Sequence, residues 1–192
     1  MAFFDATYAV ALTLLVTTLH GTDAPDTWRD LAGLWAVFGH QIVAFFLAFT
    51  IVAFYWRASH AFVAGLQHLT GRLITVNLVL LAFVVLLPFS TNVLGEHQEP
   101  LATAVFAANV AVISSTEAAM SRLVWREGPS ALPSPQGRRL DLAFQLLPPA
   151  IFLASIPVAY LVSSSVARLS WLALLLLNPV MGILVRSRAR RA

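Results

Sequence analysis

Apolar runs long enough to cross a bilayer recur from one end of the chain to the other, separated by short polar segments. Read by length and breakers, they predict six helices, at about Phe3 to Leu19, Leu31 to Trp56, Leu73 to Leu94, Leu101 to Trp125, Leu140 to Val162 and Arg168 to Val185. A membrane-crossing helix takes about 20 apolar residues, so 192 residues hold these spans and their loops and no appended soluble domain. The expectation is an all-α membrane protein, a single six-helix transmembrane domain over residues 1–192 in contact with the lipid bilayer.

Composition excludes the alternatives. The hydrophobic set makes up 59% of the chain and charged residues 11%, whereas soluble domains run at roughly 45–50% apolar and about 25% charged. A water-soluble enzyme of this length has no place for so much apolar surface. Disorder needs the opposite balance, and a chain without Cys builds no disulfide scaffold. The net charge of +3 and pI near 10.2 do not indicate nucleic acid, because all 12 basic residues are Arg and flank apolar runs rather than forming a patch. Met1 to His20 has neither the basic start nor the small-residue cleavage site of a signal peptide, so it is expected to be a retained helix. Prolines punctuate the rest. Pro25 breaks the polar stretch after the first helix, and Pro88 falls near the end of the third. The segment Arg126 to Arg139, with Pro129, Pro133, Pro135 and Gly137, reads as a long loop. The fifth helix is expected to be interrupted at Pro148, Pro149 and Pro157. No internal repeat supports an inverted-repeat transporter.

Arginine sets the orientation. With a cytoplasmic N-terminus, the inner segments hold Arg57, Arg72, Arg122, Arg126, Arg138, Arg139, Arg186, Arg188, Arg190 and Arg191. The outer segments hold only Arg29 and Arg168. This positive-inside bias predicts six spans with both termini cytoplasmic.

Few residues could carry chemistry. His20, His40, His60, His68 and His97 are scattered without HxxxH or HExxH spacing, so neither a metal site nor an enzyme is expected. Glu117, inside the fourth helix, has two readings. An intramembrane carboxylate is a functional candidate by default because burying it unpaired is costly. The favoured expectation is that it pairs with an Arg near the inner interface, one turn before Arg122. Asp5 suits the positive end of the first helix's dipole.

In the first helix Thr7, Val10, Leu14 and Thr17 follow the spacing i, i+3, i+7, i+10 and form one stripe. Around a symmetry axis, copies of that stripe would stack rings of Thr, Val, Leu and Thr. Hydrophobic constrictions gate by dewetting, and oxygen rings replace part of an ion's hydration shell. Equally, Thr hydroxyls in membrane helices bond their own backbone carbonyls one turn back, so periodicity leaves both roles open.

The run Phe3-Phe4-Asp5-Ala6-Thr7-Tyr8-Ala9-Val10-Ala11-Leu12-Thr13-Leu14-Leu15-Val16 resembles the first-helix signature of the transmembrane protein 175 family of potassium channels, an Arg, three residues, then Phe-Ser-Asp leading into Ala-Ile-Ala-Ile-Thr-Leu-Leu-Val. Trp56 and His60 are similar to that family's second-helix end, and Asn77-Leu78 with Leu87-Pro88-Phe89-Ser90-Thr91 to its third helix. The likeness spans about residues 3 to 95. Phe4 stands where the signature has Ser, and the signature Arg would fall before Met1. Asp5 is therefore carried over only as a packing or helix-positioning residue.

The resemblance implies a bacterial single-repeat member of a cell membrane, a homotetramer with six helices per subunit and no re-entrant P-loop. Its first helices would line the pore, with Thr7, Val10, Leu14 and Thr17 facing the axis and potassium ions, rather than any cofactor, within it. Phe3, Asp5, Trp56, His60 and Asn77 match motif positions, and Trp56, His60 and Asn77 are expected to brace the first helix by hydrogen bonding. The alternative is a proton- or ion-coupled secondary transporter built on Glu117, a proline-broken fifth helix and Asn178-Pro179. An accessory membrane subunit without a pathway of its own is a third class.

Overall fold

The computed structural model describes residues 2–21, 28–64, 70–127 and 135–171. Among these, all regular structure is helical: α1 (Ala2–Leu14) with a 3₁₀ continuation (Leu15–Thr18), α2 (Leu31–Ala64), α3 (Gly71–Val85), α4 (Leu87–Glu96), α5 (Pro100–Glu127) and α6 (Pro135–Leu161). A further helix, α7, opens at residue 164 and is described up to 171. The sixth span expected from Arg168 to Val185 lies mostly outside the described residues.

Four stretches are long and apolar enough to cross a membrane: Leu31–His60, Gly71–Glu96, Pro100–Val124 and Leu142–Leu161. The first apolar helix, Phe3–Thr18, is shorter. Thirteen residues at about 1.5 Å and four at about 2.0 Å nevertheless reach roughly 27 Å, close to the thickness of the hydrocarbon layer. The 3₁₀ turn supplies part of that reach.

Several boundaries differ from the hydropathy reading. The second helix does not stop at Trp56 but runs on to Ala64, because Arg57 ends the apolar run without breaking the backbone. The third span is two helices, α3 and α4, meeting at Leu86. Pro88 sits in the first turn of α4, where it has no N–H to donate and its ring crowds the carbonyl one turn back. The start of α3 is fixed by Thr70, whose hydroxyl accepts from the Leu73 amide at 3.4 Å, an ordinary N-cap. The expected loop from Arg126 to Arg139 is shorter than proline content suggested, since α6 is already helical from Pro135. Pro is tolerated at a first helical position.

The expected break in the fifth helix is absent: α6 continues unbroken through Pro148, Pro149 and Pro157. Membrane helices tolerate proline where neighbouring elements support the freed backbone groups, and α5 packs along α6 more extensively than any other helix pair here.

One core joins the elements. Phe4, Tyr8, Ala11 and Leu15 of the first helix meet Ala48, Ile51, Val52 and Tyr55 of α2, Leu80 and Val84 of α3, Leu87 of α4, and Phe106, Val110 and Ile113 of α5. Trp171 of α7 closes the far side, its ring 5.3 Å from both Phe106 and Phe152. Large apolar side chains also cover the outside, among them Phe46, Phe54, Leu78, Phe89 and Leu153. So much exposed apolar surface belongs against lipid tails or neighbouring helices.

Candidate functional site

The first helix has two unlike faces. Phe4, Tyr8, Ala11, Leu15 and Thr18 are buried against the rest of the chain. On the other side Val10 is 53% and Leu14 41% exposed, Thr17 is exposed, and Thr7 is half-buried. The sequence stripe therefore lies away from the chain's own core. The exposed face is broader than the stripe and includes Thr13 and Val16.

Backbone geometry sharpens one end of the stripe. In a 3₁₀ turn residues three apart eclipse one another, so Thr17 stands almost directly above Leu14 instead of drifting around the helix. Its hydroxyl donates to the Leu14 carbonyl at 2.7 Å. Thr7 donates to the Phe3 carbonyl at 2.9 Å and Thr13 to the Val10 carbonyl at 2.8 Å. Both roles weighed for these hydroxyls are thus compatible. A hydroxyl carries one proton and two lone pairs. With the proton committed to the helix, the oxygen offers only lone pairs to a visitor, an orientation that suits a cation and not an anion.

At the N-terminal end of α1, the Trp56 indole N–H donates to Asp5 Oδ1 at 3.0 Å, and His60 Nδ1 lies 3.6 Å from the same oxygen. Trp56 and His60 are one helical turn apart on α2, with ring centres 5.5 Å apart. The structure thus brings together three of the five motif residues and gives Asp5 a partner from α2. Phe3 is exposed and contributes its carbonyl to Thr7. Asn77, half-buried on α3, makes no hydrogen bond to α1, and its buried Oδ1 has no partner among the described residues.

Behind the first helix runs a polar seam that the hydropathy pattern does not reveal. The Tyr8 and Ser59 hydroxyls share a hydrogen bond at 3.4 Å, and the Tyr55 and Ser114 hydroxyls share a shorter one. Glu117, one turn beyond Ser114 on α5, lies near both tyrosines. The expected pairing of Glu117 with an Arg is not found: among the described residues it forms no ion pair, with Arg122 or otherwise. The seam could have been suspected only from Tyr8 and Tyr55 standing in otherwise aliphatic faces.

The opposite end of the helix is also held. The His20 amide donates to Gln41 Oε1 at 2.9 Å, and His20 Nδ1 lies 3.3 Å from Glu96 Oε1. Gly95 lets α4 approach α2 closely, since a Cβ there would stand 3.2 Å from the Gln41 backbone. Among the described residues no three His, Cys, Asp or Glu side chains converge as metal ligands. Taken together, the arrangement is a short helix clamped at both ends, buried on one face, and presenting alternating hydroxyl and apolar side chains on the other.

Comparison with known proteins bears on what such a helix does. Residues 1–88 match the model of the family described as the endosomal/lysosomal potassium channel TMEM175. A potassium channel of Streptomyces collinus is 27% identical over 128 residues, 65% of this chain and 60% of that protein. The chain thus spans about three fifths of the length of that relative. The crystal structure of a lysosomal potassium-selective channel TMEM175 homolog from Chamaesiphon minutus superimposes with a TM-score of 0.78, covering 94% of each chain at 19% identity. At that identity the likeness concerns the fold.

Proposed function

We propose, from the match of residues 1–88 to the TMEM175 family model, that this chain is a potassium-permeable cation channel of a bacterial cell membrane rather than an enzyme. Four copies assemble around a closed axis, each with six membrane helices and both termini cytoplasmic, and the first helices line the ion path. The observation that carries this reading is the division of α1 into a buried face and an uncovered stripe of Val10, Leu14 and Thr17, with the half-buried Thr7 in line with it. One such stripe encloses nothing; four form stacked rings.

The mechanism follows from the side chains. Rings of Val10 and Leu14 make an apolar constriction that excludes water when narrow and so controls passage by wetting. The Thr17 ring presents lone pairs to an ion that has shed part of its hydration shell. Nothing supplies the stacked backbone carbonyls of a P-loop filter, so discrimination between potassium and sodium is modest. The Asp5–Trp56 and His20–Gln41 contacts hold the helix at its two ends and so fix the diameter of the rings.

The coupled-transporter reading retains one favourable observation, a Glu117 inside the bundle that forms no ion pair among the described residues, and loses the broken fifth helix. Purified protein in a planar bilayer, recorded in potassium and then sodium, separates the classes. A channel shows unitary currents in both, larger in potassium. Saturating, coupled flux without unitary events would overturn the channel in favour of a carrier, and neither signal would leave an accessory subunit.

A further inference from the structure

Between the start of α2, the end of α4 and α7 lies a cavity of about 490 Å³. It belongs neither to the stripe nor to the polar seam. Along α2 its lining recurs every fourth residue, Trp35, Gly39, Val43 and Leu47, which places these positions on a single helix face. From Trp35 to Leu47 that face runs about 18 Å at the helical rise, close to the ~15 Å depth of one bilayer leaflet. Gly39 keeps it open, since its missing side chain leaves room for the Trp35 ring 3.1 Å from where a Cβ would stand. Trp35, Val43 and Leu169 remain exposed along the opening.

The cavity is polar on one side. Arg168 of α7 lines it together with Gln98 and His40. Its guanidinium donates from Nε to the Thr103 hydroxyl at 3.1 Å, from Nη1 to Gln98 Oε1 at 3.0 Å and from Nη2 to the His97 carbonyl at 2.8 Å. None of these acceptors is a carboxylate, and Arg168 forms no ion pair among the described residues, although the Glu99 carboxylate is near enough to act on its charge. Three of its five N–H donors are committed, which leaves one on each terminal nitrogen. The guanidinium is thus held rigid, still charged, with two donors spare, beside the apolar α2 face that runs on to Leu47.

We propose that this cavity is a binding site for one membrane phospholipid, its phosphate on Arg168 and one acyl chain along the α2 face. Guanidinium and phosphate pair through charge-assisted hydrogen bonds. The apolar groove has the length of the chain that follows. The site depends on the membrane-spanning reading but not on ion conduction, so it is tested without current.

Native mass spectrometry of the protein in mild detergent, titrated with phosphatidylglycerol or with diacylglycerol of the same chains, reads the phosphate contribution directly. The expected result is one phosphatidylglycerol retained per chain, about tenfold more tightly than diacylglycerol, with inorganic phosphate failing to compete. Arg168→Gln should erase that preference. Val43→Trp should reduce retention of both lipids by filling the groove without touching the Arg168 bonds, while Leu153→Trp, elsewhere on the lipid-facing surface, should leave both unchanged. Equal retention of the two lipids overturns the proposal, as does wild-type retention by a Val43→Trp protein that melts normally. A spin label on Val43→Cys that is shielded from oxygen in lipid-free assembled protein would show a second copy covering the groove, and would overturn it as well.

Discussion

The indole N–H of Trp56 meets the carboxylate of Asp5 at 3.0 Å, tying the first turn of α1 to the turn of α2 at which the apolar run ends. The pair is partly exposed, so its contribution to stability is about 1 kcal/mol. Trp56→Phe and Asp5→Ala should each lower the melting temperature in detergent by a few degrees. The double variant should lose less than the sum, because both single changes remove the same contact. Additive losses in thermal melts followed by circular dichroism would mean the two residues act separately.

Leu14 lies on the uncovered face, so truncating it removes little core packing. Leu14→Ala is expected to widen and wet the constriction, raising unitary conductance and admitting larger organic cations in bilayer recordings. A wild-type conductance in this variant places the narrow point elsewhere.

Thr17→Val keeps the shape of the side chain and removes the oxygen. Potassium-to-sodium discrimination, measured as a reversal-potential shift under bi-ionic conditions, should fall modestly while conductance persists. Thr17→Ser, which retains the hydroxyl, should behave like the wild type.

Leu15 is about 100° around the helix from Leu14 and fully buried. Leu15→Ala should destabilise the fold by about 2–5 kcal/mol and leave ion selectivity unchanged in the protein that remains folded. If selectivity moves with Leu15→Ala and not with Leu14→Ala or Thr17→Val, the pore faces the other side of α1.

Orientation and stoichiometry are open to direct measurement. Reporter fusions after Ala192 and within Asp23 to Asp26 should fall in opposite compartments, as six spans with cytoplasmic termini require. Mass photometry in mild detergent should give four chains per particle. A conducting monomer would exclude the shared axis.

Spans were legible in the sequence because burial in lipid selects long apolar runs, and the run from Leu101 to Trp125 matches α5 within two residues at either end. Ends were not, because hydropathy registers Arg57 as a boundary while the backbone of α2 passes it unbroken. Prolines misled in both directions. Pro88 does divide a span, at Leu86, whereas Pro148, Pro149 and Pro157 sit within a continuous α6. No local window separates those two outcomes. The stripe Val10, Leu14, Thr17 was readable from spacing alone. The partners of Tyr8 and Tyr55 were not, since they depend on how α1, α2 and α5 are registered against one another, and the same register leaves Glu117 beside tyrosines rather than arginines.

The tight turn over Leu15–Thr18 has a consequence for the shape of any ring built from this helix. Wound as ordinary α-helix, the three steps from Leu14 to Thr17 would turn through about 300° instead of about 360°, leaving the hydroxyl some 60° off the line of the leucine and roughly 1.5 Å lower. In a fourfold assembly, that angle is the difference between oxygens pointing at the axis and oxygens pointing at the neighbouring subunit. In the proposed channel, the pitch of one short segment would thereby fix which atoms a passing ion meets.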